Sequence, residues 1–303
     1  MSNTTNDLTI VIPAFRCSKY LAATIKSALL CEGSHILIAE DGSKDETLEL
    51  ARKWCSDYPD RISLIENSIN LGMTANWQNA LRQVKTPFCL KLDGDDIILP
   101  EYVHIALTWL RRNPEVGILA GKPKIISSQE YLEPDMVSQL TKTSVYTPIQ
   151  IRGIDACRFI LKWHPLPCSS STFYRMDAWN QVGGFDQQLN WCSDQEIWFR
   201  VARIAAIGWY NGDAVLYRVH SENTTAKVTR EDRRCYECDY MLTKAARIWP
   251  EAQLRFYFCW RLLQISKSYF ASVLRSLKRQ PSEIPYRSYR GVKCALKSLK
   301  ACI

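Results

Sequence analysis

The segment PFCLKLDGDD (residues 87–96) leads an apolar run directly into three carboxylates, at Asp93, Asp95 and Asp96. An apolar run of this length is typical of a buried strand. Two carboxylates ~5 Å apart repel each other by roughly 3 kcal/mol at an effective dielectric near 20, and surface loops avoid this repulsion by spreading their acidic residues. A divalent cation offsets the repulsion because it binds hard oxygen ligands. The segment therefore predicts a strand that ends at a cation site, and the alternative is a solvated acidic turn.

Three more strands are predicted before this one, and a helix follows each of them. The strands are the runs LTIVIP, HILIAEDGS and RISLIE, at residues 8–13, 35–43 and 61–66. The helices are expected within residues 18–30, 44–56 and 70–84, and Ser18 is expected to be the N-cap of the first. Alternation at this spacing indicates βαβ units and a parallel sheet. Because ligands bind at the carboxyl ends of such strands, we expect the polar turns there to share one crevice.

The composition is that of a soluble protein with a large core, since 47% of the 303 residues are hydrophobic and 23% are charged. No stretch approaches the ~20 apolar residues that a membrane span requires. Twelve cysteines without a disulfide framework indicate reduced thiols and a cytoplasmic protein. Cys235 and Cys238 have the spacing of half a zinc site, but no second pair follows at the usual distance. Two helix thiols are therefore the simpler interpretation.

The positive charge is concentrated in the C-terminal part of the chain. Residues 227–303 carry 17 Lys and Arg against 6 Asp and Glu, a net charge of +11, whereas residues 1–226 have a net charge of −3. Within residues 254–277, apolar side chains recur at helical spacing among basic ones. This segment is expected either to pack on the rest of the chain or to lie on an anionic membrane, together with the basic segment at residues 287–300.

Six motifs resemble family 2 glycosyltransferases with the GT-A fold, and they occur in the order VIPAF, EDGSKDET, NLGMTANWQNAL, KLDGDD, VGGFD and SDQEIWFR. The resemblance covers residues 8–225. It implies an α/β fold with a Rossmann-like, mostly parallel sheet flanked by helices and a C-terminal helical extension. The implied catalytic domain covers residues 1–226, with a nucleotide-sugar half over about residues 1–125 and an acceptor half over about residues 126–226. The basic helical extension covers residues 227–303.

The resemblance also assigns the donor side of the site. Asp95 would bind Mn²⁺ or Mg²⁺, and Asp93 would contact the ribose or the metal shell. Asp41 would accept a hydrogen bond from the nucleotide base. The alternative role is an Asx turn before Gly42, and one aspartate can have both roles. Pro13 lies where the first strand of the family meets the nucleotide, and Gly72 would permit a tight entry into the next helix.

On the acceptor side, Asp194 matches the general base of the family. A carboxylate near the proton of the acceptor hydroxyl assists its attack, but an acid in the first turn of a helix is also stabilised by the helix dipole alone. Ser193 departs from the usual glutamate and is expected to be an N-cap or an orienting hydrogen-bond partner. The resemblance makes Asp186 and Trp191 candidates for acceptor contact, although Trp191 could equally belong to the core. His220 is either a ligand of the metal or a structural histidine.

A second departure lies in the helix after Gly72. Asn76 and Trp77 stand where an Ala–Arg pair is frequent in the family, so a basic phosphate contact from this helix is not expected. Residues 127–153 have weak periodicity and are expected to form a mobile loop or lid. The walls that select the donor and acceptor are expected within residues 127–174.

Two functions are compatible with the sequence. The first is a metal-dependent, inverting glycosyltransferase that moves a hexosyl or related group from a nucleotide diphosphate-sugar to a glycan or lipid-linked acceptor, in surface polysaccharide or glycolipid assembly. The second is a non-catalytic nucleotide-sugar or membrane-surface binding module on the same fold. The retention of Asp41, Asp95 and Asp194 favours the enzyme. A sugar nucleotidyltransferase would open with a Gly-rich basic loop, which VIPAFRCSKY is not.

The expected enzyme is non-processive and cytoplasmic. Processive synthases of the family carry a QxxRW motif and membrane spans, and this sequence has neither. Its expected partners are the nucleotide-sugar donor, the acceptor and, through the basic extension, the inner face of the cytoplasmic membrane. No nucleic-acid partner is expected.

Overall fold

The computed structural model describes residues 7–127, 146–162, 169–221, 223 and 233–277, with the side chains of all but residues 233–235 and 265–277. The predicted basic segment at residues 287–300 lies outside this description, as does most of the predicted lid.

The first half of the described chain alternates strands and helices, as the sequence predicts. Its elements are β1 (Leu8–Ala14), α1 (Ser18–Leu29), β2 (Ser34–Glu40), α2 (Thr47–Asp57), β3 (Ile62–Glu66), α3 (Met73–Arg82) and β4 (Phe88–Lys91). Strand β1 pairs in parallel with β2 and β4, and β2 pairs in parallel with β3. The carboxyl ends of these strands therefore lie along one edge of the sheet.

The second half adds antiparallel strands and the C-terminal helices. Its elements are β5 (Ile97–Ile98), α4 (Pro100–Arg112), β6 (Val116–Ser127), β7 (Ile149–Ile151), α5 (Gly153–Lys162), a 3₁₀ turn (Ser169–Ser171), β8 (Thr172–Arg175), α6 (Met176–Gln181), α7 (Ser193–Ile204), β9 (Ala206–Val219), α8 (Arg233–Ile248) and α9 (Ala252–Leu277). The strand order is β3-β2-β1-β4-β8-β6-β9-β5, with β7 beside β9. Strand β8 is antiparallel to both β4 and β6, so it separates the parallel strands β1 to β4 from the rest of the sheet.

Strand β1 is packed on both faces of the sheet. Ile10 and Ile12 pack on one face of the sheet in the cluster that contains Leu21 of α1, and Val11 packs on the opposite face in the cluster that contains Trp77 of α3. Alternate side chains of a strand point to opposite faces, and both faces are covered here. This explains the uninterrupted apolar run in the sequence.

Helix α1 begins one residue away from the predicted cap. The N-cap is Cys17 and makes no side-chain capping bond, whereas Ser18 is the first residue of the helix. The Ser18 hydroxyl instead donates to Asp45 Oδ2 at 3.1 Å. The prediction of Ser18 as N-cap is therefore wrong by one position.

Helices α8 and α9 pack against the rest of the fold and confirm the predicted helical extension. Leu254, Phe258 and Leu262 of α9 are buried in the core cluster of Trp77. A second stripe on the same helix, Phe256, Trp260 and Leu263, is exposed. Within the described residues, no helix combines the length and apolarity that crossing a bilayer requires.

Candidate active site

The ends of β1, β2 and β4 touch one another at the edge of the sheet. The backbone N–H of Asp41 donates to the carbonyl of Ala14 at 3.0 Å. A Cβ atom on Gly94 would lie 3.0 Å from the carbonyl oxygen of Pro13 and 2.9 Å from the sulfur of Cys17. Only glycine avoids both contacts, so the acidic turn can approach β1 this closely only with glycine between Asp93 and Asp95.

Asp93 is held by a cation and two hydroxyl groups. Lys91 Nζ lies 2.5 Å from Asp93 Oδ1, and the hydroxyls of Ser169 and Ser170 donate to Oδ2 at 3.0 and 2.9 Å. The positive charge of Lys91 and these hydrogen bonds lower the pKa of Asp93 against the opposing effect of burial. Asp93 is therefore a fixed anion at the end of β4.

Lys91 is a functional candidate that the sequence analysis missed. Its side chain is fully buried, and Nζ lies 3.7 Å from the centre of the Trp77 ring as well as 2.8 Å from Ser169 Oγ. Trp77 stands where an arginine is frequent in the family. Helix α3 therefore supplies an aromatic face here, and Lys91 of β4 supplies the positive charge. The signal was present, because residues two apart on a strand share a face and Lys91 therefore lies beside Asp93.

Asp95 and His220 form the pair best suited to a cation. His220 Nε2 lies 2.8 Å from Asp95 Oδ2, and the amide of Asn223 donates to the same oxygen at 3.2 Å. Both side chains are partly exposed, at 22% for Asp95 and 12% for His220. Among the described residues, no three His, Cys, Asp or Glu side chains form a self-contained metal centre. A carboxylate and an imidazole nevertheless fit a divalent cation whose other ligands come from a bound diphosphate and water.

Asp96 has a structural position beneath this pair. It is fully buried, its Oδ2 lies 2.5 Å from Ser170 Oγ, and its Oδ1 accepts from the backbone N–H of Arg218 at 2.9 Å. Burial, followed by the negative charges of Asp95 and Asp93, raises the pKa of Asp96 well above its usual value. Asp96 therefore connects the acidic turn to β9, next to His220.

The Asp41 carboxylate organises the loop before α3. Oδ1 accepts from the Asn67 amide and the Leu71 N–H at 3.0 and 2.9 Å, and Oδ2 accepts from the Asn70 amide and the Gly72 N–H, both at 3.0 Å. Gly72 has a φ of +89° at the N-cap of α3, which agrees with its predicted role in a tight entry. The four bonds fill the acceptor capacity of the carboxylate, so binding of a nucleotide base to it requires the exchange of one of them.

Asp41→Asn is expected to lower the free energy of unfolding by about 2–4 kcal/mol. The NH₂ group of the asparagine would face two of the four N–H donors that bind the Asp41 carboxylate, and these two donors would lose their acceptor. Thermal or urea unfolding measures the change. Asp57→Asn on the exposed end of α2 is the control and should stay within about 0.5 kcal/mol of the original protein. Equal stability of the two variants would show that the loop does not depend on the Asp41 carboxylate.

Asp194 lies in the first turn of α7 and is half-buried. Burial raises its pKa to about 6, although the positive charge of Lys91 acts in the opposite direction. The N-cap of α7 is Cys192 and makes no side-chain capping bond, so the N-cap interpretation of Ser193 is wrong. The alternative agrees with the structure, because Ser193 Oγ accepts from the Thr74 hydroxyl of α3 at 3.2 Å. Ser193 thereby ties the helix that carries Asp194 to α3.

Asp186 and Trp191 lie on the loop at residues 182–192, which leads into α7. Asp186 Oδ2 is 2.8 Å from Lys244 Nζ, and this ion pair together with hydrogen bonds lowers the pKa of Asp186 against the effect of burial. Trp191 is half-buried against the core. Both residues are thus engaged by the fold around the loop. Acceptor contact by Asp186 and Trp191 stays a prediction.

The sequence matches known glycosyltransferases. The model of "Glycosyl transferase family 2" matches residues 9–175. An uncharacterized glycosyltransferase of Haemophilus influenzae is 22% identical over 227 residues, which cover 74% of this chain and 69% of the relative. A chondroitin synthase of Escherichia coli is 22% identical over 222 residues, which cover 73% of this chain but 30% of the relative. The chain thus spans less than a third of the second relative.

Two solved structures are similar to this one along nearly the whole chain. The mannosyltransferase PcManGT from Pyrobaculum calidifontis, in complex with GDP-Man and Mn²⁺, has a TM-score of 0.62 and 16% identity, and the match covers 97% of this chain and 87% of that one. S. aureus TarS in complex with UDP-GlcNAc has a TM-score of 0.58 and 14% identity, with coverages of 97% and 91%. At this identity the likeness shows the fold alone, and it confirms the predicted GT-A fold.

Proposed function

The chain belongs to glycosyl transferase family 2, and from this premise we propose that it is a metal-dependent, inverting, non-processive glycosyltransferase that uses a nucleotide diphosphate-sugar. One observation carries the proposal: the Asp95–His220 pair lies at the strand ends, where a fixed anion, Asp93, and a buried cation, Lys91, also lie. Binding of GDP-Man and Mn²⁺ by the structurally similar mannosyltransferase supports the same chemistry. The catalytic unit is proposed to span residues 1–226 and the extension residues 227–303.

Asp95 and His220 would hold Mn²⁺ or Mg²⁺ together with the diphosphate of the donor. The cation, when bound, would offset the negative charge that collects on the departing nucleoside diphosphate. Asp93, whose orientation Lys91 and the two serines fix, would contact the ribose or the metal shell. The loop that Asp41 organises, together with Pro13 and Gly72, would bind the nucleotide.

Asp194 is the proposed general base. It takes the proton of the acceptor hydroxyl while the hydroxyl oxygen bonds to the anomeric carbon and the bond from that carbon to the diphosphate breaks. A pKa of about 6 suits this task, because the carboxylate is ionised near pH 7 and yet more basic than an ordinary aspartate. Asp186 and Trp191 are the proposed acceptor contacts.

A panel of nucleotide sugars, incubated with Mn²⁺ or Mg²⁺ and assayed for release of the nucleoside diphosphate, tests the function. Turnover of at least one donor is expected, and it should cease with a chelator. Binding of a nucleotide sugar without any turnover of it, alone or with glycan acceptors, would instead favour the non-catalytic binding module.

The product is expected to have the anomeric configuration opposite to that of the donor. A base that activates the acceptor hydroxyl on the face opposite the leaving diphosphate gives a direct displacement, and such a displacement inverts the anomeric centre. The anomeric coupling constant in the NMR spectrum of the first-formed product measures the outcome. Retention of configuration would contradict the role assigned to Asp194.

We expect the extension to bind anionic membranes and so bring the site near a lipid-linked acceptor. Phe256, Trp260 and Leu263 are exposed on α9 next to the exposed Arg255, and residues 227–303 carry a net charge of +11. Aromatic and basic residues on one helix are typical of an interfacial helix, and each basic residue contributes on the order of 1 kcal/mol at an anionic surface. This arrangement supports a role in surface polysaccharide or glycolipid assembly.

Sedimentation with phosphatidylglycerol or phosphatidylcholine vesicles measures this binding. The protein is expected to bind the anionic vesicles at low salt and to lose this binding at high salt. The double variant Phe256→Ser and Trp260→Ser should bind more weakly. Ile69→Ser, which removes an exposed apolar side chain elsewhere, is the control. Equal, negligible binding to both lipids at low salt would leave α9 with a packing role alone.

A further inference from the structure

Three successive backbone N–H groups point at one buried carboxylate from the C-terminal extension. Asn190, Trp191 and Cys192 donate to Glu237 Oε2 at 2.9, 2.6 and 3.3 Å. Glu237 lies on α8 and is only 1% exposed. A buried carboxylate is tolerated where hydrogen-bond donors surround it, and these donors come from the end of the loop at residues 182–192.

Other residues on the same face of α8 hold the rest of this loop. Glu237, Tyr240 and Lys244 are spaced three and four residues apart, which places them on one side of the helix. Lys244 Nζ lies 2.8 Å from Asp186 Oδ2 in the loop and 2.7 Å from Glu196 Oε1 on α7. The Tyr240 hydroxyl donates to Asp186 Oδ2 at 3.4 Å. Helix α8 thus fixes both the middle and the end of the loop.

The last residue that Glu237 binds lies two positions before the proposed base in the sequence. Cys192 is the N-cap of α7, and Asp194 follows two residues later. The position of a first-turn side chain depends on the backbone of the cap, because the cap sets the direction in which the helix begins. The hydroxyl of Thr74 on α3 donates to Ser193, and the carboxylate of Glu237 on α8 accepts from the two residues before it, so two different helices hold the start of α7.

We infer that Glu237 is a positioning residue for sugar transfer: it fixes the loop at residues 182–192 and the first turn of α7, and thereby the distance of Asp194 from the acceptor. The inference rests on the proposed function and deepens it. It makes α8 a required part of the transferase, although α8 lies outside the proposed catalytic unit. Glu237 acts through the backbone and touches no substrate.

The test compares Glu237→Gln, Glu237→Ala and the matched control Glu251→Gln. Glutamine keeps an acceptor oxygen without the charge, whereas alanine removes the acceptor, so turnover of the nucleotide sugar should fall about 10-fold and about 100-fold respectively. Glu251 belongs to the same extension and forms an ion pair with Arg203 at the other end of α7, at 2.6 Å, and its variant should keep turnover. Calorimetry should give the same affinity of all three for UDP or GDP with Mn²⁺.

Hydrogen exchange separates positioning from a general loss of stability. The amides of residues 190–192 should lose some protection in Glu237→Gln and more in Glu237→Ala. The loss of protection should parallel the loss of turnover, with turnover measured well below the melting temperature. Normal turnover in Glu237→Ala despite unprotected amides would overturn the inference and leave the proposed function intact. If the unmodified protein turns over no nucleotide sugar, the proposed function fails, and the positioning role falls with it.

Discussion

Asp194→Asn is expected to lower the turnover number by about a hundredfold or more while the affinity for the nucleotide-sugar donor hardly changes. Asparagine has the size of aspartate, and its carbonyl oxygen can still accept from the backbone N–H of Gln195, as Asp194 Oδ1 does at 2.8 Å. It cannot accept a proton. The loss should therefore fall on the chemical step, and steady-state kinetics with calorimetric donor binding separate the two quantities.

The pH dependence gives this prediction a second measurement. Burial of this half-buried side chain raises the pKa of Asp194 to about 6, so the turnover of the original protein should rise with pH and level off above about 6. This limb should be missing in Asp194→Asn. The raised pKa also means that the folded protein binds this proton more tightly than the unfolded one. Asp194 therefore stabilises the fold less as pH rises from its usual pKa of 3.8 towards 6.

Asp177→Asn is the matched control for the base. Asp177 is an exposed acid in the first turn of α6, so it shares the interaction with a helix dipole but not the position near Lys91 and Asp93. Its variant should keep full turnover. If Asp194→Asn does the same, Asp194 is only a helix-terminal acid and the proton is taken elsewhere.

Strands β1 to β4 and the helices between them could be predicted because each of these elements follows from the residues within it. Each strand from β1 to β4 is a short apolar run that ends in a polar turn, a helix follows each of β1 to β3, and right-handed βαβ connections place the strand ends at one edge. The insertion of β8 between β4 and β6 could not be predicted in this way. Strand partners that lie tens of residues apart are chosen by tertiary packing, which no local pattern records.

The same distinction applies to the site. The acidic turn, Gly72 and Asp194 follow from motifs, whereas the supports of these residues come from distant segments. Ser169 and Ser170 lie more than 70 residues from Asp93, and Glu237 lies 45 residues from the loop that it holds. Lys91 alone had a local signal, as a cation inside an apolar strand, because a buried lysine needs a partner and Asp93 is two residues away.

Asp95→Ala is expected to abolish metal-dependent turnover. The variant loses the carboxylate that is shared between the turn and His220, and an imidazole alone is a weak holder of a hard cation beside a diphosphate. Calorimetric titration of UDP or GDP in the presence of Mn²⁺ should show weaker binding than in the original protein. The chelator EDTA should remove activity from the original protein, and added Mn²⁺ or Mg²⁺ should restore it.

Histidine variants decide whether His220 acts with Asp95 as a ligand or only supports it. If His220 is a ligand, the His220→Ala variant should require more Mn²⁺ than the original protein for half-maximal activity, because the loss of a ligand weakens the metal site. His104→Ala, which removes an exposed histidine on α4, should leave the Mn²⁺ requirement unchanged. If His220 is structural, His220→Ala should instead lower the free energy of unfolding and leave the Mn²⁺ requirement unchanged. The centre of the His220 ring lies 4.9 Å from that of Tyr20, and the variant loses this contact. Full activity of Asp95→Ala in EDTA would contradict the metal assignment for both residues, because the acidic turn would then act without a cation.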